Sequence, residues 1–391
     1  MGRVYLDWNA SAPLRSEARA AACAAFDLIG NASSVHHEGR AARHVLETAR
    51  DAVAALVHAD PRNVIFTAGG TEANALALSP RLQAQDAKGP FTRLVVSSIE
   101  HPSVLAGGRF DAAAVERVAV TSDGSIDLAA LEQRLSALAR AKERPMVSLM
   151  AANNETGVVQ PLRAAADLVH RHGAFLHVDA VQAAGRIALD SAALGADLMT
   201  LSAHKIGGAK GAGALVRRDE GIQLDPLTRG GGQERGARAG TENIAAIAAF
   251  GAAAVAVAAH GAAEAAHAAA LRERLEAGIR AATPTATVFG AAAERLPNTT
   301  LVALSGVKAE TLVIAFDLDG VAVSSGAACS SGKVAPSHVL AAMGVPTELA
   351  RGAIRLSTGH ATTEADVDTF LNIWQKLTKS LSIHDKQGLA A

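Results

Sequence analysis

The feature that most limits the fold is the alternation of short apolar runs with helical stretches between Asn63 and Arg217. Residues 64–66, 94–96, 146–150, 175–178, 198–201 and 212–216 are mostly aliphatic and short enough for buried strands. Residues 71–78, 128–141 and 162–172 read as helices between them. Strands separated by helices predict an α/β fold with a mainly parallel sheet covered on both faces. In such a sheet the ligand sits beyond the carboxyl ends of the strands, in the loops that follow them.

The rest of the chain reads differently. From Thr241 to about Ala282 it is alanine-rich and helical, and Pro284, Pro297 and Asn298 then break the pattern. Residues 300–304, 310–317, 321–324, 354–357 and 364–377 predict a smaller α+β unit. The expected division is 1–258 and 259–391, with about the first 15 residues packing on the smaller domain. The tail from Ser382 is expected to fray. The most apolar stretch, 244–259, is short for a membrane span and contains Gly251, so it reads as a buried helix. The N-terminus has no charged head followed by an apolar run, so a cytoplasmic protein is expected.

Composition narrows the function. Lys+Arg number 37 against 38 Asp+Glu, and aromatics are 3 %, which argues against a nucleic-acid surface, a polybasic membrane surface or a base-stacking platform. Two cysteines, Cys23 and Cys329, cannot build a disulfide framework or a four-thiolate metal site, so no intrinsic metal is expected.

Three segments follow predicted strands and carry chemistry. Ser202-Ala203-His204-Lys205 puts a lysine at a buried strand end, where desolvation lowers an amine pKa and favours Schiff-base chemistry. His177-Val178-Asp179-Ala180-Val181-Gln182 ends a strand on a carboxylate able to pair with a cationic ring nitrogen. Thr67-Ala68-Gly69-Gly70-Thr71-Glu72 turns from strand to helix, where free amides and Thr71 can hold a phosphate. Taken singly these also read as a surface lysine, a helix cap and a plain turn. Together they supply what pyridoxal 5′-phosphate needs. A fourth segment, 324–332, surrounds Cys329 with small residues and glycines and reads as a loop bearing a reactive thiol. Cys23, in the helical stretch 19–28, reads as a structural thiol buried like a small hydrophobe.

With these segments in register, the chain resembles the NifS/IscS-type cysteine desulfurases of the fold-type I (aspartate aminotransferase-like) pyridoxal phosphate superfamily. The matching motifs are Gly-Asn-Ala-Ser-Ser-Val-His at 30–36, Gly-Gly-Thr-Glu at 69–72, Glu-His-Pro at 100–102 and Asn-Asn-Glu-Thr-Gly at 153–157. They continue with His-Val-Asp-Ala-Val-Gln at 177–182, Ser-Ala-His-Lys at 202–205, Gly-Gly-Gly-Gln-Glu-Arg-Gly at 230–236, Arg-Ala-Gly-Thr-Glu-Asn at 238–243, the Cys329 loop, and Arg-Gly-Ala-Ile-Arg-Leu-Ser at 351–357. Two stretches depart from the family pattern: Asp7-Trp8-Asn9-Ala10-Ser11-Ala12, and Ile206-Gly207-Gly208-Ala209-Lys210-Gly211 after the lysine. Neither removes a proposed catalytic group.

The resemblance implies an aspartate aminotransferase-like large domain with a smaller C-terminal domain carrying the catalytic cysteine. It implies conversion of L-cysteine to L-alanine, with the sulfur passing to Cys329 as a persulfide. Lys205 is the implied Schiff-base lysine and proton carrier. Asp179 is the partner of the pyridine nitrogen, Gln182 of the ring phenolate, and His101 stacks on the ring. Gly70, Thr71, Ser202 and His204 cradle the phosphate. Thr241 reaches the phosphate from the other subunit of a homodimer. Asn154 and Arg355 hold the substrate carboxylate, with Asn31 in a substrate-side loop. The implied sulfur acceptors are iron–sulfur scaffold or sulfur-carrier proteins, where the persulfide helps ligate a nascent [2Fe-2S] cluster. An aminotransferase, a selenocysteine lyase and a non-catalytic scaffold are the alternatives on the same fold.

Overall fold

A computed structural model describes residues 2–84, 89–325, 329–330, 333–334 and 337–388, with side chains for 2–84, 89–325 and 337–379. The Cys329 side chain, and Gly326, Ala327, Ala328, Ser331 and Gly332 beside it, lie outside the described set.

The chain opens with β1 (Val4–Tyr5), α1 (Ser16–Phe26), α2 (His37–Ala55), β2 (Val64–Thr67), α3 (Gly70–Ala77), β3 (Arg93–Ser97), α4 (Pro102–Leu105) and β4 (Val115–Val118). It continues through α5 (Leu128–Arg140), β5 (Pro145–Met150), α6 (Leu162–Arg171), β6 (Phe175–Asp179), β7 (Leu198–Ser202), β8 (Gly213–Arg217) and α7 (Ile244–Ala282). The last part holds β9 (Thr287–Val288), β10 (Thr299–Ala303), α8 (Ala309–Leu318), β11 (Val321–Ala322), β12 (Cys329–Ser330), β13 (Lys333–Val334), α9 (His338–Ala342), α10 (Thr347–Ala350), β14 (Ala353–Ser357) and α11 (Glu364–Gly388).

Seven strands form one sheet in the order β2-β8-β7-β6-β5-β3-β4. All neighbours are parallel except β8, which runs antiparallel to both β2 and β7. The β7–β8 connection, residues 203–212, is too short for a parallel crossover, so the chain turns straight back. That return carries Lys205. Alternate strand residues feed opposite faces. Phe66, Val147, Leu149, Val178 and Leu201 join one core, while Ile65, Met146, Phe175 and Leu198 join the other. Every residue of β5, β6 and β7 is buried, as expected for strands covered on both sides.

The helices end where their sequences dictate. Asp127 caps α5 by accepting from the amides of Ala129 and Ala130. α7 begins at Asn243, whose side chain accepts from the Ala246 amide. By length and composition alone α7 could cross a membrane, yet 56 % of its apolar window is buried inside the protein. Gly251 belongs there because a Cβ would meet Ala49 Cα at 2.6 Å, so α2 and α7 touch backbone to backbone.

α7 joins two cores. Val257 packs in the large one, whereas Leu271, Leu275 and Ile279 pack with Val302, Phe316, Ile354, Phe370 and Trp374 in a second. Phe316 and Phe370 stack at 4.7 Å there. The second core rests on the antiparallel sheet β14-β10-β9. It also takes Val4 and Leu6, and β1 pairs parallel with β11. The N-terminal segment therefore belongs to the smaller unit before crossing to the larger.

Some expectations change. α2 and β4 were not foreseen; Val115-Glu116-Arg117-Val118 lies at the sheet edge, where charge replaces apolar alternation. The 321–324 strand shortens to β11, with Ser324 bridging to Arg355 instead. α11 runs past Ser382 to Gly388. Cys23 is exposed on α1 and is not the buried hydrophobe its helix suggested.

Candidate functional site

A cleft of ≈ 660 Å³, open to solvent, lies beyond the carboxyl ends of β2, β5, β6 and β7. Gly70, Thr71, His101, Asn154, Asp179, Gln182, Ser202, His204 and Lys205 all line it. Nine residues drawn from between positions 70 and 205 thus meet at one place. Arg355 lies against the Asn154 side of this group, donating from Nη1 to the Asn154 carbonyl at 2.9 Å. Asn31 and Thr241 are exposed and do not line this chain's cleft.

Lys205 follows β7 in a single 3-10 turn. Its Nζ donates to the carbonyl oxygens of Asn9 and Ala10, the latter at 3.1 Å. Burial lowers its pKa to about 7, helped by the Arg186 and Arg355 charges and opposed by Asp179 and Asp7. Half of the amines are then neutral near neutrality, as a nucleophilic or basic lysine requires.

Asp179 ends β6 with 6 % exposure. Its Oδ1 accepts from the Val181 amide at 3.0 Å and its Oδ2 from Asn74 Nδ2 at 2.8 Å. Asn74 Nδ2 also reaches Ser103 Oγ at 2.9 Å, while its buried Oδ1 has no partner. Ser103 holds His101: its hydroxyl lies 2.7 Å from Nδ1 and its amide donates to the same nitrogen at 3.1 Å. A nitrogen that accepts from the amide leaves the proton of neutral imidazole on Nε2. Desolvation pulls the His101 pKa below its usual value, against Asp179 and aided by Lys205 and His338.

Gln182 spans two neighbours, donating to the Asn9 carbonyl at 3.0 Å and accepting from Arg186 Nη1 at 2.8 Å. His204 sits 3.2 Å from Ser11 Oγ, and burial, then Lys205, Lys210 and Arg186, push it down to about 4, so it is neutral. The α3 N-terminus opens into the cleft beside Ser202 and Thr71. Position 70 is tight: a Cβ there would meet Val181 Cγ2 at 2.9 Å, so any larger residue would push the Val181 side chain aside.

Asn153, not Asn154, makes the local turn: its Oδ1 accepts from the amides of Glu155 and Thr156, both at 2.9 Å. That leaves the Asn154 side chain to line the cleft. Arg355 Nη2 also donates to Asp7 Oδ1 at 2.7 Å. A carboxylate held this way fixes the plane of the guanidinium.

Sequence reasoning missed Asn9, Asn74, Ser103 and Asp7. Asn9 is fully buried and meets both halves: it bonds to Asn154 and Gln182 on one side and to Thr299, Asn298 and Ser357 on the other. Asn74 left a readable signal, a polar residue on the buried face of an otherwise apolar helix.

The aminotransferase class-V family model matches residues 4–370. A cysteine desulfurase of Cereibacter sphaeroides is 43 % identical over 389 residues, covering 97 % of each chain. Another, from Gluconacetobacter diazotrophicus, is 40 % identical over 385 residues, covering 95 % of this chain and 92 % of that one. The crystal structure of a NifS-like protein from Rickettsia africae superposes with a TM-score of 0.85 at 31 % identity, over 96 % of this chain and 99 % of that one. Near-complete coverage on both sides leaves the shared fold intact from β1 to α11. The chain belongs to the class-V aminotransferase family and, within it, to the NifS/IscS-type cysteine desulfurases, which are fold-type I pyridoxal phosphate enzymes.

Proposed function

We propose that this cysteine desulfurase converts L-cysteine to L-alanine by passing the substrate sulfur to Cys329, with the residues of the Lys205 cleft in the roles below. The observation that carries this reading is the meeting of Lys205, Asp179, His101 and the α3 N-terminus in one cleft.

The cleft fits pyridoxal phosphate on its own evidence. The unpartnered Oδ1 of Asn74 and the tight approach at Gly70 both lie in its wall. Gly70, Thr71, Ser202 and the neutral His204 would hold the phosphate against the α3 amides. Asp179, oriented by Asn74, would hold the ring nitrogen and its proton, and Gln182 the ring oxygen. Held by these residues, pyridoxal phosphate would supply an aldehyde for the substrate amine and an electron sink for its α carbon.

The chain's own groups do the rest. Arg355 and Asn154 orient the substrate carboxylate, with Asp7 keeping the guanidinium in place. Lys205 Nζ, neutral for half of its population near pH 7, takes the α proton. His101 holds a proton on Nε2 at the mouth of the cleft and returns it to the departing carbon framework. The Cys329 thiolate forms the new S–S bond as the substrate Cβ–S bond breaks. Cβ takes up a proton and is reduced to the alanine methyl, while the Cys329 sulfur is oxidised to a persulfide. The sum is Cys329–SH plus L-cysteine giving Cys329–S–SH plus L-alanine. A protein acceptor then removes the outer sulfur, and iron–sulfur scaffolds and sulfur carriers are the fitting class. The exposure of Thr241 outside its own cleft supports a homodimer in which it serves the other copy's phosphate. Two units meeting along α7, 1–258 for the cofactor and 259–391 for the nucleophile, and a cytoplasmic setting complete the reading.

The test follows alanine and sulfide release from L-cysteine under reductant, with wild type and Cys329→Ala side by side. Equal yields of both products from wild type and near-total loss in the variant are expected. Wild-type protein that holds pyridoxal phosphate yet makes neither product would overturn the reading.

A further inference from the structure

One buried carboxyl is not used above. Glu155 is 2 % exposed and sits next to Asn154. Its Oε2 accepts from the Ser337 hydroxyl at 2.5 Å, and Ser337 Oγ accepts in turn from the Leu340 amide at 3.1 Å. A serine has a single hydroxyl proton, and with Oγ accepting at α9 that proton goes to Glu155. Burial pushes the Glu155 carboxyl up to about 7, against the pull of Ser337 and Arg355. A buried carboxyl is costly unless it is well bonded, so its partner is informative.

Ser337 is the C-terminal root of the segment that bears Cys329. A second tie lies beside it, where His338 Nε2 sits 3.0 Å from the Glu100 carbonyl, next to His101. The N-terminal root is Ser324, which exchanges both backbone hydrogen bonds with Arg355, at 3.1 and 2.7 Å. Arg355 Nη1 then reaches the Asn154 carbonyl. Both roots of the cysteine-bearing segment therefore converge on one dipeptide, Asn154-Glu155. Asn154 lines the substrate cleft, and Glu155 faces the loop root.

We infer that Glu155 is a positioning residue for sulfur transfer: it holds Ser337, eight residues after Cys329, against the peptide that also orients the substrate carboxylate. This rests on Cys329 being the sulfur acceptor. The physical logic is proximity. Two sulfur atoms must come into line, and anchoring the chain at Ser324 and Ser337 to the substrate platform favours that alignment. Glu155 does not line the cleft, and its side chain bonds to Ser337.

The experiment separates two steps in holoenzyme carrying Glu155→Ala, Glu155→Gln, Ser337→Ala, or Glu155→Ala with Ser337→Ala. Single-turnover formation of the Cys329 persulfide is read by mass after alkylation. The Lys205 step is read as α-proton exchange of L-alanine in D₂O, which involves no sulfur chemistry. Glu155→Ala is expected to slow persulfide formation by about 10- to 100-fold while leaving α-proton exchange within about twofold. Ser337→Ala loses less, and the double variant is no slower than Glu155→Ala, because both remove one interaction. Glu155→Gln recovers most of the rate, since its amide oxygen still accepts from Ser337. Alkylation of Cys329 by iodoacetamide without substrate should change in rate in the same order of variants. Equal loss in both steps would mark a merely structural carboxyl and overturn the inference, as would a wild-type persulfide rate in Glu155→Ala. If Glu155→Ala does not fold, the Ser337→Ala split between the two steps decides alone. A wild type that exchanges the alanine proton but forms no persulfide on Cys329 would sink the acceptor reading itself, and this inference with it.

Discussion

The two halves of the site are held in place by different means. The cofactor half is a set of strand ends. Asp179 closes β6, Ser202 closes β7, and Lys205 follows on a turn whose length is fixed by the return to β8. Each side chain there has neighbours that leave it one orientation, as Asn74 and the Val181 amide do for Asp179. For the proposed nucleophile, Cys329, the described anchors are the chain on either side: Ser324, paired with Arg355, and Ser337, bonded to Glu155. Preorganisation suits a group that must present fixed charge to a bound ring. Burial acts alike on both: it lowers the pKa of the Lys205 amine and raises that of the Glu155 carboxyl, disfavouring the charged form of each.

The largest expected effect tests whether the halves are separable. Lys205→Ala should abolish α-proton exchange and persulfide formation together, with a loss of at least about 10³-fold. Cys329→Ala should keep the exchange and lose only the persulfide. Retained persulfide formation in Lys205→Ala would break the division of labour.

A second prediction sharpens the electrostatics of the cofactor half. Uptake of pyridoxal phosphate by apoprotein needs the neutral Lys205 amine. With its pKa near 7, uptake measured by stopped-flow absorbance should rise with pH up to about neutrality and then level off. A lysine at its usual value would keep accelerating to well above pH 9. The stability sign follows. Folded apoprotein binds fewer protons at Lys205 than the unfolded chain between pH 7 and 10.5, so this group favours folding increasingly as pH rises across that window. Lys205→Met should remove that part of the slope. Continued acceleration of uptake above pH 9 in wild type would mean the amine is not desolvated.

The contrast between the halves also governs how much could be read in advance. β5, β6 and β7 were legible because burial on both faces leaves an unbroken apolar run, and their last residues carry the chemistry. The nine cleft residues were reached by motif and register, and they do meet in space. What escaped was the bonding that spans long sequence distance. Asn9 joins Gln182 to Thr299, and Glu155 joins Ser337, across gaps no local pattern reports. Polar side chains buried by tertiary packing look like turn residues in one dimension. In α1 the helix was legible at 19–28, but its alanine-rich repeat does not mark the buried face, so Cys23 was placed inside when it lies outside.

That misplacement yields the smallest expected effect, and it bears on the comparison directly. Cys23 and Cys329 are the two thiols of the sequence, so persulfide mapping must tell them apart. Cys23 lies exposed on α1, a helix packed on α7, and it does not line the cleft. Exposure alone does not make a sulfur acceptor, because transfer needs alignment with the substrate sulfur and not merely access to solvent. Cys23→Ser should therefore leave desulfuration within about twofold of wild type and change stability by less than about 0.5 kcal/mol. The check is persulfide mass mapping on wild type and Cys23→Ser after a single turnover. All sulfane sulfur should map to Cys329 in both. A persulfide on Cys23 that forms at the single-turnover rate, before any on Cys329, would show that alignment with the substrate sulfur is not what selects the acceptor. The distinction between the two halves would then have to be redrawn around the surface of α1.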